Sequence, residues 1–154
     1  MKIKQVDAKL IRPLRHMVLR TGKPFSTTAY KKDYHKNTFH LTYIKENEII
    51  VCTTFYPEKT KQVDSKSSYR LRGMATHPKE RRKGFGREVM LEAFKILHSK
   101  ECDILWCNAR IVALDFYKSL GFKTKGDIFN INDIGPHYFM YKKVPTFDSY
   151  EFKK

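Results

Sequence analysis

From Ala8 to Arg20 the apolar residues Leu10, Ile11, Leu14, Met17 and Val18 recur at helical spacing, with Asp7 placed as N-cap and Gly22 just beyond the end. Pro13 conflicts with one clean helix, because it lacks an N–H and crowds the preceding turn, and it points to a start one turn later. Residues 2–5 read as a short strand, and residues 23–37, rich in Lys, Thr and Tyr, as a loop or short irregular helix. Thr38–Ile44 alternates and Glu48–Phe55 is β-branched, and the polar Lys45-Glu46-Asn47 between them predicts a hairpin. Pro57–Ser67 is a polar connection, and Tyr69–Thr76 reads as a fourth strand ended by His77-Pro78.

The clearest helix runs from Gly86 to Ser99, where Val89, Met90, Ala93, Phe94 and Leu97 form one apolar stripe. Asp103–Cys107 is a short apolar fifth strand, and Ile111–Leu120 a second helix with Gly121 as a left-handed cap. A strand from Phe122 and a last one over His137–Tyr141 follow, then a polar and aromatic tail, 145–154. The order predicts a mixed α/β (α+β) fold in one domain, 1–154, with about six to seven strands in a central mixed sheet flanked by helices. The hairpin must be antiparallel, and the strands flanking the Gly86 helix parallel.

A hydrophobic fraction of 41% with 14% aromatics places the chain among globular proteins and not disordered ones. No apolar run approaches the roughly 18 residues of a membrane span, and Met1–Gln5 leads into no secretory apolar core, so a cytoplasmic protein is expected. Cys52, Cys102 and Cys107 form no CxxC pair, which suits reduced thiols better than a disulfide framework or a zinc site, and no metal is expected. The net charge of +15 changes the picture most: it calls for an anionic partner, either nucleic acid, an acidic surface or a phosphorylated cofactor.

A motif gives that charge a place. Arg81-Arg82-Lys83-Gly84-Phe85-Gly86 lies between the fourth strand and the long helix. A helix N-terminus presents unpaired N–H groups and partial positive charge, and glycines let the backbone approach a phosphate closely. Arg81, Arg82, Lys83 and Arg87 add full charges around the same point. Neither GxxxxGK[ST] nor GxGxxG occurs, which argues against a nucleoside-triphosphate enzyme and a dinucleotide dehydrogenase.

Arg81-x-x-Gly84-x-Gly86 resembles the [RQ]xxGx[GA] signature of the GNAT superfamily of N-acetyltransferases. Trp106-Cys107-Asn108-Ala109-Arg110 and Ala113–Phe122 look like that family's fifth strand and following helix; the likeness covers roughly residues 38–144 and is most specific over 69–122. The ending Ile134–Lys142 is similar to a bacterial subgroup of the family. The resemblance implies a sheet splayed between the fourth and fifth strands and acetyl-CoA as co-substrate. It places the pantetheine arm on the backbone of Met74, Ala75 and Thr76 and the pyrophosphate on the N–H groups from Arg82 to Arg87, including Phe85. It also implies that Tyr117, with Phe116 beside it, serves the departing CoA sulfur as hydrogen-bond or proton donor. Tyr117 equally falls on the packing stripe Ala113, Phe116, Tyr117, Leu120. Asn108 is either a cofactor hydrogen-bonder or the N-cap of the next helix.

An amine with a pKa of roughly 10.4 must lose a proton before attack. Many family members carry a carboxylate on the fourth strand for this, but here Arg72 stands in that stretch. His40 and His137 are the alternative bases, alongside a water chain. Arg72 suggests an acceptor bearing a carboxylate or phosphate, with Arg12, Arg15 and Arg20 contributing if the first helix borders the pocket. The expected activity is acetyl transfer to a primary amine by direct attack in a ternary complex. A CoA-binding protein without catalysis and a basic nucleic-acid-binding domain are the competing readings. A homodimer through Phe147, Tyr150 and Phe152 is a further expectation, and the acceptor is unassigned.

Overall fold

The computed structural model describes residues 2–145, so the predicted tail packing of Phe147, Tyr150 and Phe152 lies outside the described residues. Two compact units divide the chain. One takes in the chain up to Pro57 together with Leu71–Ile96, and the other Glu58–Arg70 together with the chain from Leu97 onward.

In the first unit, β1 (Ile3–Gln5), β2 (Phe39–Lys45) and β3 (Glu48–Pro57) form antiparallel ladders, with Tyr43 opposite Ile3 on one side and Val51 on the other. The β2–β3 turn places Glu46 at φ 50° and Asn47 at φ 65°, the pair of left-handed residues that matches the twist of a two-residue hairpin. Helix α1 (Ala8–Leu19) starts at Ala8 because the Asp7 carboxylate accepts from the Lys9 N–H at 2.9 Å. Pro13 therefore sits inside the helix and does not delay its start. A proline there costs about 3 kcal/mol, and burying Ile11 and Leu14 returns roughly 1.5–3 kcal/mol each.

The buried face of α1 also differs from the apolar stripe in the sequence. Ala8, Ile11, Leu14 and Arg15 point inward, whereas Leu10 and Met17 are 52% and 49% exposed. Arg15 turns the helix this way, since its buried partners lie on that side. Ile11 and Leu14 pack with Cys52 and Ala75, and Val6, Val18, Leu19 and Ile49 close around them.

Strand β4 (Tyr69–Thr76) passes from the second unit into the first, and α2 (Phe85–Ser99) follows it. Val89, Met90, Ala93, Phe94 and Leu97 of α2 are all buried, the stripe its spacing predicts. In the second unit β4 begins in parallel register with β5 (Ile104–Arg110), Tyr69 opposite Leu105 and Arg70 opposite Trp106. The preceding loop is tied to β5: Asp103 accepts from the Lys66 and Ser67 N–H groups, and Trp106 donates to the Glu58 carbonyl at 2.9 Å.

A 3-10 turn at Ile111–Ala113 leads into α3 (Leu114–Ser119), so the predicted helix over Ile111–Leu120 is shorter and begins in tighter coil. Gly121, at φ 95°, ends it as expected. β5 pairs antiparallel with β8 (Gly135–Lys143), and the short β6 (Lys123–Thr124) and β7 (Phe129–Ile131) both add to β8. The hydrogen-bonded order is β1-β2-β3-β4-β5-β8-β6 with β7 also on β8, an eight-stranded mixed sheet. The strand expected from Phe122 is β6, and the count exceeds the six to seven expected because of β7, three residues that are too short to show a period.

Candidate active site

In the first unit β4 ends at Thr76 and is followed by His77, whose N–H donates to the Ile50 carbonyl at 2.7 Å and whose Nδ1 accepts from the Lys79 N–H. After a 3-10 turn at Pro78–Glu80 the chain exposes Arg81, Arg82, Lys83 and Gly84 before α2 begins at Phe85. Arg82 at φ 62° and Gly84 at φ 87° are both left-handed. Such alternation turns successive N–H groups toward one concave side. Above Gly84 the space is open, since an added Cβ would meet nothing within 4 Å. The helix ladder starts with Glu88 N–H donating to the Gly84 carbonyl at 3.1 Å, and the earlier amides of a helix have no acceptor within it.

The turn is braced from outside. Glu80 accepts from Lys45 at 2.9 Å and lies 3.5 Å from Lys83, and the Lys45 hydrogen bond holds its carboxyl below the usual range. Arg81 Nε donates to the Thr76 carbonyl at 3.4 Å, and the Phe85 ring packs on Tyr43 at 4.5 Å. Ala75 is buried, Met74 and Thr76 half-buried, and Gly86 is buried in the first turn of α2. Open space over a left-handed glycine, donors at a helix start and the basic side chains of Arg81, Arg82, Lys83 and Arg87 together form a place that could hold a pyrophosphate.

One turn of chain upstream, Gly73 of β4 has φ 69°, and a Cβ there would lie 2.9 Å from Tyr30 Cε2 and 3.1 Å from its Oη. Tyr30 is seated by a polar cluster. Arg15 is wholly buried and binds both Asp33 oxygens at 2.8 Å, the Thr28 carbonyl and Thr54 Oγ1. Asp33 also accepts from the Tyr30 N–H at 2.9 Å. The Arg15 guanidinium lies 3.8 Å from the Tyr30 ring centre and that of Arg72 lies 4.2 Å from it. Arg12 and Arg20 hold Thr28 and Thr27, so the two arginines of α1 and its C-cap Arg20 brace the 25–28 segment, and Arg15 does not face solvent.

His40 belongs to the same cluster. Its Nε2 donates to the Asp33 carbonyl at 2.9 Å, and its Nδ1 then accepts from the Thr54 hydroxyl at 2.7 Å. Burial, the largest cause, pushes its pKa below the usual value. Both ring nitrogens are thereby committed.

In the second unit Asn108 lies within β5, opposite Phe139, and is half-buried. Arg110 precedes the 3-10 turn and Ala113 precedes α3, so Asn108 caps neither; β5 runs three residues past its predicted end because β8 pairs it throughout. Tyr117 is buried on α3, edge-on to Phe116 at 5.3 Å and to Phe122 at 5.2 Å. Burial pushes its phenol well above the ordinary range and keeps it protonated. His137 on β8 is buried and donates from Nδ1 to the Gly135 carbonyl at 2.8 Å, which leaves Nε2 as the lone-pair nitrogen of the neutral ring. Cys107 is a buried free thiol whose pKa burial pushes up. Among the described residues no group of three His, Cys, Asp or Glu gathers to hold a metal, and no helix is long and apolar enough to cross a membrane.

The model of the acetyltransferase (GNAT) family matches residues 10–122, which includes β4, the basic turn, α2, β5 and α3. The chain belongs to the GNAT family. Its sequence is 32% identical over 146 residues to the uncharacterized N-acetyltransferase YitI of Bacillus subtilis (strain 168), covering 95% of this chain and 98% of that one. It is accordingly an acyl-CoA-dependent acetyltransferase. The fold is shared with an aminoglycoside 6'-N-acetyltransferase complexed with coenzyme A, at TM-score 0.75, 12% identity and coverage of 95% and 98%. It is also shared with the ribosomal-protein-S18-alanine N-acetyltransferase of Escherichia coli, at TM-score 0.67, 15% identity and coverage of 94% of each chain.

The GNAT motif residues thus fall on the elements the resemblance assigns them. Sequence reasoning missed Tyr30 and Asp33, which sit in the 23–37 segment. The available signal was Arg15, a cation within the otherwise apolar inward face of α1, which requires a buried acid somewhere.

Proposed function

We propose that this chain transfers the acetyl group of acetyl-CoA to a primary amine by direct attack in a ternary complex. The observation that carries the reading is the turn at the end of β4, where left-handed Arg82 and Gly84 open under exposed basic side chains at the start of α2. In this reading the N–H groups from Arg82 to Arg87 hold the pyrophosphate, the backbone of Met74, Ala75 and Thr76 holds the pantetheine arm, and Asn108 and Phe116 complete the cofactor contacts. The family model runs through both compact units, which supports a single acyltransferase domain.

Bound acetyl-CoA supplies an activated thioester. The amine nitrogen bonds to the carbonyl carbon, the carbon–sulfur bond breaks, and the electron pair leaves on sulfur. Tyr117 is the donor to that sulfur. Since burial raises its pKa, its contribution is a hydrogen bond from a neutral phenol as charge develops, and any proton it passes to sulfur is replaced through water by the one the amine gives up. The amine proton goes to His137 Nε2 or to water; His40 is not assigned this role, because both its nitrogens are already bonded. Arg72, half-buried on β4 where a carboxylate base is absent, is an acceptor-side residue.

Two of the proteins that share the fold act on an aminoglycoside and on an alanine of a ribosomal protein, two unlike amines. A polycationic acceptor fits poorly here, because a chain of net charge +15 repels it at long range. Calorimetry with acetyl-CoA and CoA at low and high salt tests the reading. Binding that survives salt, is lost in Gly84→Val and is accompanied by amine-dependent thiol release supports acetyl transfer. Binding without thiol release from any amine favours the non-catalytic reading, and a salt-sensitive response to a single-stranded oligonucleotide alone favours nucleic acid.

A further inference from the structure

We propose that the Tyr30–Arg72 stack on β4 is the subsite for a negatively charged oxygen group, carboxylate or phosphate, on the acceptor amine; this rests on the acetyl-transfer reading above. The Arg72 guanidinium stacks on the Tyr30 ring at 4.2 Å. Stacking occupies the face of the guanidinium and leaves its in-plane N–H donors along the edge, the geometry that grips a carboxylate or phosphate with two parallel bonds. Arg15 is paired with Asp33 and Arg70 with Glu58, whereas Arg72 has no carboxylate partner among the described residues.

Tyr30 is a fixed platform. Its N–H is bound by Asp33, its other neighbour is the Arg15 guanidinium at 3.8 Å, and its phenol end presses where Gly73 lacks a Cβ. The buried Asp33 carboxylate cancels the charge of Arg15 alone, so the stack keeps the full positive charge of Arg72. Fixing the ring in advance removes much of the ordering entropy that a lone surface arginine would lose on gripping an anion. The stack also sits at the right place on the strand. In the proposed binding mode the pantetheine runs from the basic turn back along Thr76, Ala75 and Met74, and Gly73 is one residue, about 3.3 Å, further on. An acceptor anchored at Tyr30–Arg72 thus meets the acyl end. The +15 chain steers the same class of acceptor toward it.

The test uses the full chain and three matched amine pairs: glutamate with glutamine, β-alanine with β-alaninamide, and O-phosphoethanolamine with ethanolamine. Thiol release from acetyl-CoA gives kcat and KM, and calorimetry gives acetyl-CoA affinity separately. The expected result is at least a tenfold preference in kcat/KM for the charged member of one or more pairs. Arg72→Gln should erase that preference by raising KM with kcat and acetyl-CoA affinity little changed, and Arg72→Lys should recover part of it. Tyr30→Leu, which removes the platform but not the charge, should raise the same KM severalfold. A preference in the carboxylate pairs alone, or in the phosphate pair alone, identifies which group is taken. Equal use of both members of all pairs, no acetylation of any of them despite acetyl-CoA binding, or a preference that persists in Arg72→Gln overturns the proposal. Absence of acetyl-CoA binding to the unmodified chain overturns instead the reading on which it rests.

Discussion

Arg15 on α1 meets Asp33 through two parallel hydrogen bonds of 2.8 Å, with both side chains almost wholly out of water. The pair joins the first helix to a loop eighteen positions later in the chain and seats Tyr30 against β4. Removing one partner strands a buried charge, at a cost of roughly 3–5 kcal/mol. Asp33→Ala is therefore expected to lower urea-unfolding stability by about that amount. Replacing both residues with apolar ones of similar volume should recover part of it. If Asp33→Ala falls within 1 kcal/mol of the parent, on the order of a surface pair, the ion pair is not structural.

Histidine 40 and Asp33 give this unit a pH dependence of one sign. Burial holds the folded pKa of His40 below its unfolded value of roughly 6.5, so the unfolded chain takes up the proton first. Its contribution is fully present above about pH 6.5 and is lost as pH falls through the folded value. Burial raises the Asp33 pKa, but the Arg15 and Tyr30 hydrogen bonds outweigh it and leave the group below its usual value. That contribution is present above roughly pH 3.9 and is lost on further acidification. The melting temperature should accordingly rise with pH below neutrality, and His40→Gln should flatten the upper part of the rise.

Gly84 combines a left-handed φ of 87° with open space where its Cβ would stand. Gly84→Val should destabilise the chain only by about 1–2 kcal/mol of backbone strain. The larger loss should be in acetyl-CoA affinity, tenfold or more by calorimetry, because the branched side chain fills the anion cradle. Retained affinity would place the pyrophosphate elsewhere.

Tyr117 packs by its ring on Phe116 and Phe122, contacts that phenylalanine keeps. Tyr117→Phe is expected to leave folding and acetyl-CoA affinity near the parent values while kcat falls by roughly 10²-fold, the scale of one positioned acid. An unchanged kcat would reduce Tyr117 to a packing residue.

All three cysteines are buried, and burial lifts the Cys52 and Cys102 thiols to about 12. None should react with a thiol-specific reagent at pH 8 until the chain unfolds. Cys107→Ala should keep acetyl transfer within about threefold, since direct attack needs no acyl-cysteine. A covalent acetyl group recovered on Cys107 by mass spectrometry would refute direct attack.

What the sequence determined by itself was local. Helical spacing marked α2 and its buried stripe, Lys45-Glu46-Asn47 marked the hairpin, and Arg81-x-x-Gly84-x-Gly86 marked the turn before α2 and with it the GNAT family. Each rests on residues close together in the chain, where side-chain period, φ preference and helix-end electrostatics act directly. What the tertiary structure decided was long-range. Which face of α1 turns inward depends on Asp33, a partner in a segment with no period of its own. The three-residue β7 exists because β8 pairs it. Asn108 is held in β5 by Phe139 across the ladder and not spent as a helix cap. The commitment of both His40 nitrogens, and the seat of Tyr30 between Arg15 and Arg72 against Gly73, are likewise products of folding. A buried polar group must find partners wherever the fold brings them, and no local spacing records that choice.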